Sequence, residues 1–197
     1  MILERKTKIA YIIPSLDAGG AERFVLDLIH NLDKTKFVVS LVLFSHGGFF
    51  LEEAKQMGIE VVVLEKKRKL DILNFVKLYK TIKRIRPDIV HTELGGDIYG
   101  RLVAKMLGVK VIVSTEQNVD RNEKGMMKCL KKWTNSLGDM VVAISLAVKD
   151  DLRRRYESKE NKMRVIYNGI RTEKFLVEEK RNDDLVEQIA KLATKKD

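Results

Sequence analysis

One cysteine, Cys129, is all the thiol this 197-residue sequence carries. A disulfide framework within the chain is thereby excluded, and a reducing compartment fits. Its three histidines, His30, His46 and His91, stand far apart and lack metal-ligand spacing, so a structural zinc site is not expected. No stretch approaches the ~18 consecutive apolar residues of a membrane span. The basic start, Met1 to Lys6, leads into an apolar run that Pro14 interrupts and that has no cleavage-like end. That run reads as a first core strand and not as a signal peptide. Internal repeats and low-complexity stretches are also missing. What the chain has in excess is positive charge, a net +10 at 45% apolar content. The apolar content suffices for a sizeable core. The charge predicts attraction to something acidic: nucleic acid, an anionic membrane surface or phosphorylated substrates.

Short β-rich runs alternate with amphipathic helical ones. Strands are expected over Lys8–Ile13, Phe37–Phe44, Ile59–Leu64, Asp88–His91, Lys110–Thr115, Met140–Ile144 and Met163–Tyr167. Helices are expected over Ala21–Leu32, Phe50–Met57, Asp71–Arg86, Asp97–Leu107, Lys124–Leu137 and from Ser145 to about Tyr156. Asp71 and Ser145 are capping residues, and Pro87 and Gly108 stop helices. Strands that are apolar throughout are buried on both faces, and strand–helix alternation implies right-handed crossovers. The fold class is therefore α/β, a doubly wound, mainly parallel Rossmann-like sheet of about seven strands with helices on both faces. It covers residues 1–170. Residues 171–197 change character, being highly charged with a weak amphipathic stretch, and read as a hinge or tail.

Ligands in such sheets bind at the carboxyl ends of the strands. The phrase Ile13-Pro14-Ser15-Leu16-Asp17-Ala18-Gly19-Gly20-Ala21-Glu22-Arg23 lies at the first of these ends. A glycine pair between strand and helix lets backbone N–H groups approach an anion, and the helix adds its positive dipole end. On spacing alone, plain turn chemistry explains the pair equally well.

The whole phrase is more specific, and it resembles the opening of the retaining family-four glycosyltransferases, which carry two facing Rossmann-like domains (the glycosyltransferase B fold). Asp88 to Leu94 followed by Gly100-Arg101-Leu102, Val111 to Asn118, and Val165 to Ile170 with Phe175 resemble that family's fourth strand, fifth strand and interdomain hinge. Two positions depart from the pattern: Glu93 and Gln117 stand where members often carry histidine. The resemblance implies an acceptor-side N-terminal domain whose donor-binding second domain lies outside residues 1–197. It implies transfer of a sugar, with retention, from a UDP- or GDP-sugar to a sugar or lipid-linked acceptor, without metal or further cofactor. The setting would be envelope polysaccharide, lipopolysaccharide or glycolipid synthesis, in the cytoplasm or on the cytoplasmic face of the inner membrane.

Under that resemblance Gly19 and Gly20 bind the diphosphate or the transferred sugar, with Glu116 and Asn118 beside them. His91, Glu93 and Gln117 are the candidate catalytic residues. His91 and Glu93 titrate; Gln117 can orient a hydroxyl but cannot serve as a general base. Glu93 and Glu116 are expected to face ligand, because an isolated buried carboxylate is costly. Lys66 to Arg86 holds nine basic residues against one acid, Asp71. Its first four, Lys66, Lys67, Arg68 and Lys69, follow the third strand on the ligand-bearing rim and suit lipid phosphates or a lipid-diphosphate acceptor. In Lys124 to Trp133 the lysines interleave with Met126, Met127, Leu130 and Trp133, either lying on an anionic membrane or packing on the sheet with solvated lysines.

Other readings compete. A nucleic-acid-binding domain rests on charge alone, without a helix-turn-helix, zinc finger or aromatic RNA-binding strand, so no nucleic-acid partner is expected. A nicotinamide-dependent dehydrogenase would need G-x-G-x-x-G and an acid closing strand two, where Phe44 and Ser45 stand instead. A non-catalytic half acting as a binding or assembly subunit fits residues 1–170 equally well.

Overall fold

The computed structural model describes residues 5–66, 71–119 and 125–169. Seven parallel strands form one sheet in the order β3-β2-β1-β4-β5-β6-β7. They are β1 Thr7–Ile13, β2 Phe37–Leu43, β3 Glu60–Val63, β4 Ile89–Glu93, β5 Val111–Glu116, β6 Met140–Ala143 and β7 Met163–Val165. The helices are α1 Gly20–Asn31, α2 Leu51–Gln56, α3 Ile72–Ile85, α4 Asp97–Met106, α5 Gly125–Leu137 and α6 Leu146–Tyr156. The chain steps outward from β1 to β3, returns across the sheet through α3, and steps the other way from β4 to β7. The order reverses between β1 and β4, which lie in register from Ile9 opposite Ile89 to Ile12 opposite Thr92. A crevice at the carboxyl ends of the strands belongs at such a switch point.

Residue alternation along the strands builds two core layers. Ile9, Tyr11, Ile13, Leu41 and Leu43 meet Val25, Leu26 and Ile29 of α1 and Ala54 of α2. Ala10, Ile12, Val42, Val90 and Ile112 meet Leu78, Ile82 and Ile85 of α3 and Val103 and Ala104 of α4. On β6, Val141 and Ala143 lie in register with Ser114 and Glu116 of β5 and pack against α6. Hence α1 and α2 cover one face and α3 to α6 the other.

Caps and loops explain the element ends. Asp71 accepts from the Asn74 backbone N–H at 3.0 Å, and Ser145 from that of Val148 at 3.2 Å, as expected of capping residues. The loops after β1 and β2 clamp each other: Leu16 N–H donates to Gly47, and Phe50 N–H donates to Leu16. Gly48, at φ +85°, passes so close to the Leu16–Asp17 peptide that a Cβ would collide with it. The helix begins one residue earlier than expected, at Gly20, with Gly19 in extended conformation as its cap.

Sequence periodicity over Asp71–Arg86 predicts an inward stripe of Ile72, Phe75, Val76, Tyr79 and Ile82, and helix α3 corrects it. Ile72 and Val76 are exposed, and the buried face is Asn74, Leu78, Ile82 and Ile85. Asn74 makes this possible by donating to the Phe44 carbonyl at 2.6 Å, which fastens the start of α3 to the exit of β2. Among the described residues no helix is long and apolar enough to cross a membrane.

Candidate functional site

A cleft of about 410 Å³ opens at the switch point, lined by Gly20, Ala21, Glu22, Leu94, Gln117, Asn118 and Asn168. Four separate stretches converge there: the β1–α1 turn, the β4 exit, the β5 exit and the end of β7. No side chain caps α1, and the first N–H known to bond back is that of Arg23, to the Gly19 carbonyl. The N–H groups of Gly20 and Ala21 therefore face the cleft as donors for an anion. Gly20 has open space where a Cβ would go, so packing does not require glycine there. Gly19 differs: the Glu22 carboxylate folds back over it, so a side chain there would have to displace the end of Glu22.

Beneath the cleft, on the α1 face of the sheet, a polar chain runs from the end of β7 into the core. Asn168 Nδ2 donates to Gln117 Oε1 at 2.9 Å, and Gln117 Nε2 donates to Glu93 Oε2 at 3.1 Å. Glu93 is fully buried, and its Oε1 has no hydrogen-bond partner. Burial drives its pKa up to about 8, against the hydrogen bonds from Gln117 and Thr115. At neutral pH Glu93 thus favours its protonated form. His91 Nε2 lies 2.7 Å from Thr115 Oγ1 and 3.7 Å from Glu93 Oε1, and its ring stacks on Tyr11 at 4.7 Å. Burial lowers the His91 pKa to about 4, so the ring is neutral.

The opposite face of the same strands holds a second polar cluster. Lys131 of α5 donates to Glu116 Oε2 at 3.1 Å, and Arg101 of α4 lies 3.5 Å from Glu116 and 3.6 Å from Asp97. Arg101 also donates to Ser114 Oγ at 2.7 Å, which in turn meets Thr92. All these side chains are buried. Burial and the Asp97 carboxylate push the Glu116 pKa up, while Lys131 and Arg101 pull it down.

Several expectations change here. Glu93 and Glu116 do not face ligand: Glu93 lies behind Gln117, and Glu116 points away from the cleft into the Arg101 cluster. Glu116 is tolerated because Lys131 and Arg101 flank it, and Glu93 because burial favours its neutral, protonated form. The structure brings Gly20, Gln117 and Asn118 together at the cleft, and sets His91 one layer below. Lys66 turns inward, its ammonium 5.2 Å from the Phe44 ring and 5.0 Å from that of Tyr99. Lys67, Arg68 and Lys69 lie outside the described residues, as do residues 170–197. On α5 the reading in which the apolar residues pack on the sheet and the lysines are solvated fails, since Lys131 is buried and Trp133 is half exposed.

Sequence reasoning missed Glu22 and Asn168 as lining residues, and Asp97, Arg101 and Lys131 as a buried cluster. A signal existed for Glu22, which stands three positions after a helix cap, where an acid reaches back. None existed for Asn168, fifty-one residues from Gln117.

An all-parallel, doubly wound domain with a polar cleft at its switch point has the architecture of the N-terminal domain of glycosyltransferases of the B fold. Residues 18–174 match the model of Glycosyltransferase Family 4, and the chain belongs to that family. It is 23% identical over 180 residues to an Escherichia coli UDP-Gal:alpha-D-GlcNAc-diphosphoundecaprenol alpha-1,3-galactosyltransferase, spanning 86% of this chain and 46% of that protein. A glycosyltransferase structure from Rickettsia africae superposes with a TM-score of 0.74 at 25% identity, over 94% of this chain and 50% of that one. HepE from Anabaena in complex with UDP superposes with a TM-score of 0.74 at 19% identity, over 93% and 50%. The chain spans about half the length of the relatives it matches.

Proposed function

We propose that this chain is the acceptor-side domain of a retaining glycosyltransferase that moves a sugar from a UDP-sugar to a lipid-linked sugar acceptor in envelope glycan synthesis. The observation that carries the reading is the cleft at the switch point. There free helix N–H groups meet amide and carboxylate side chains suited to sugar hydroxyls. A UDP-sugar is favoured over a GDP-sugar by the UDP named for HepE and the UDP-Gal named for the E. coli relative. The diphosphoundecaprenol in the latter's name supports a lipid-borne acceptor. A donor-binding domain outside residues 1–197 completes the site, and the work is done in the cytoplasm at the membrane face.

In the reaction the acceptor oxygen bonds the anomeric carbon while that carbon's bond to the diphosphate breaks, and the acceptor hydroxyl gives up its proton. Gly20 and Ala21 N–H groups stabilise negative charge on the donor phosphates or the transferred sugar. Gln117, held at both ends, and Asn118 orient hydroxyls. His91, neutral and bonded to Thr115, and Glu93, protonated behind Gln117, do not take the proton directly; they hold Gln117 and Thr115 in place. Glu22 is the carboxylate that lines the cleft itself, and the leaving diphosphate oxygen is the other acceptor within the reaction.

The test is transfer of labelled hexose from UDP-glucose or UDP-galactose to an undecaprenol-diphosphate sugar by the full-length protein. Transfer is expected. Gly20→Ala should fold normally, since its Cβ meets open space, and should lower kcat/KM about tenfold by crowding the N–H groups, on the order of 1.4 kcal/mol. No transfer with any nucleotide sugar would favour the non-catalytic half.

A further inference from the structure

The lining of the cleft has a chemical bias. Leu94 contributes an apolar surface, and does so from a left-handed backbone, φ 53°, that a leucine rarely adopts. Gln117, Asn118 and Asn168 contribute neutral amides, which both donate and accept. Among the described residues that line the cleft, Glu22 alone is charged. Its carboxylate turns back over Gly19 at the positive end of α1, so the helix already has an anion of its own. No cation among the described residues pairs with Glu22. Arg23, next along the chain, is held by Asp27 at 2.8 Å and by Glu53 at 2.7 Å. Burial first, and then the charges of Glu116 and Glu22, oppose ionisation of Glu93, so the field of Glu22 reaches inward from the cleft. A chain of net charge +10 thus carries a cleft of negative sign.

We infer that Glu22 determines specificity by charge: it admits an uncharged hexose ring to the cleft and turns away a hexuronate. The inference rests on the reading that the chain handles a nucleotide sugar, and it narrows the class of sugar. An apolar surface faced by amides suits a ring with C–H groups on one side and hydroxyls around it. Those hydroxyls donate to a carboxylate that no cation has neutralised, and such charge-assisted bonds are the strong ones. An ionised carboxylate on the ring has no proton to donate and meets like charge. A cleft of about 410 Å³ is roughly 7 Å across, so a charge anywhere on a ring inside it lies within one Debye length, about 8 Å, of Glu22. The effective dielectric at a protein surface is well below that of water, which strengthens the repulsion. The ring therefore lies inside the cleft and the diphosphate at its edge.

The experiment is equilibrium binding to the full-length protein, without acceptor, of UDP-glucose against UDP-glucuronate and of UDP-galactose against UDP-galacturonate. Members of each pair differ at one ring carbon, in charge far more than in size. The parent is expected to bind the better neutral donor about tenfold more tightly than its uronate partner. Glu22→Gln keeps the shape of the side chain and should cut that ratio by about threefold or more, through tighter uronate binding. Glu22→Lys should lower the ratio further, with circular dichroism to confirm that both variants fold. The inference is overturned if the parent binds uronate donors as tightly as neutral ones, or binds neither neutral donor. It is also overturned if the folded variants keep the parent's ratio, including the case in which both donors weaken equally, the mark of a merely structural role. Binding needs no proton transfer. Absent transfer with a ratio that responds to Glu22 would sink the catalytic reading alone, and intact transfer with a ratio that ignores Glu22 would sink the charge selectivity alone.

Discussion

Two buried polar clusters flank β4 and β5, one on each face of the sheet, and they serve different ends. On the α4–α5 side, Asp97, Arg101, Glu116 and Lys131 offset one another, two carboxylates against two cations, sealed beneath helices. On the α1 side, Glu93, Gln117 and Asn168 form a chain whose outer members line the cleft. Adjacent residues, Glu116 and Gln117, point into different clusters because side chains alternate along an extended backbone. The sealed cluster fixes α4 and α5 on the sheet; the open one fixes what a ligand meets. Burial alone does not distinguish them, since both hold residues almost without exposure.

The largest effect should come from breaking the sealed cluster. Arg101→Leu leaves Asp97 and Glu116 with Lys131 alone and should cost about 3–5 kcal/mol in urea unfolding. A cost below about 1 kcal/mol would mean that the cluster is wet or already neutral, and the contrast would fail.

Next in size is the pH response of the open cluster. Glu93 has its folded pKa raised from 4.5 to about 8, so its stabilising contribution is present below 4.5 and is lost as pH rises toward 8. By about pH 7 the loss is on the order of 3 kcal/mol. His91 runs the opposite way. Its folded pKa is lowered from 6.5 to about 4, so its contribution is present above 6.5 and is lost as pH falls toward 4. Unfolding midpoints across this range should therefore show Glu93→Gln flattening the decline between pH 4.5 and about 8, and His91→Gln flattening the decline as pH falls from 6.5 toward about 4. A Glu93→Gln curve parallel to the parent's above pH 6 would show that Glu93 is ionised in the fold.

The smallest effect on stability should come from Gln117→Ala, about 1 kcal/mol for its hydrogen bonds, although transfer should fall tenfold or more. Sharpening the comparison requires that opposite pattern: Arg101→Leu lowers stability with little change in kcat/KM for the fraction still folded, while Gln117→Ala does the reverse.

Much of the architecture was legible before any coordinates. Continuous apolar runs at Phe37–Leu43 and Val111–Val113, separated by helical periodicity, give buried parallel strands, and the glycine pair marks the rim where ligands bind. The helix ends at Asp71 and Ser145 were legible from capping chemistry alone. Glu93, Gln117 and the glycines were legible as positions of interest, but not which of them meet. Lys66 was legible as a cation on the ligand-bearing rim, but not its turn toward the Phe44 and Tyr99 rings, and neither was the half-exposed Trp133 beside a buried Lys131.

The sequence by itself determined the element order, the parallel sheet and the end of the sheet where chemistry belongs, because those follow from local periodicity, turn residues and the handedness of crossovers. Only the tertiary structure decided which carboxylates are buried, that Asn168 reaches Gln117 and Gln117 reaches Glu93, and that Lys131 and Arg101 hold Glu116. Those pairings join residues on different elements, and their energies depend on dielectric and distance, which no one-dimensional pattern carries.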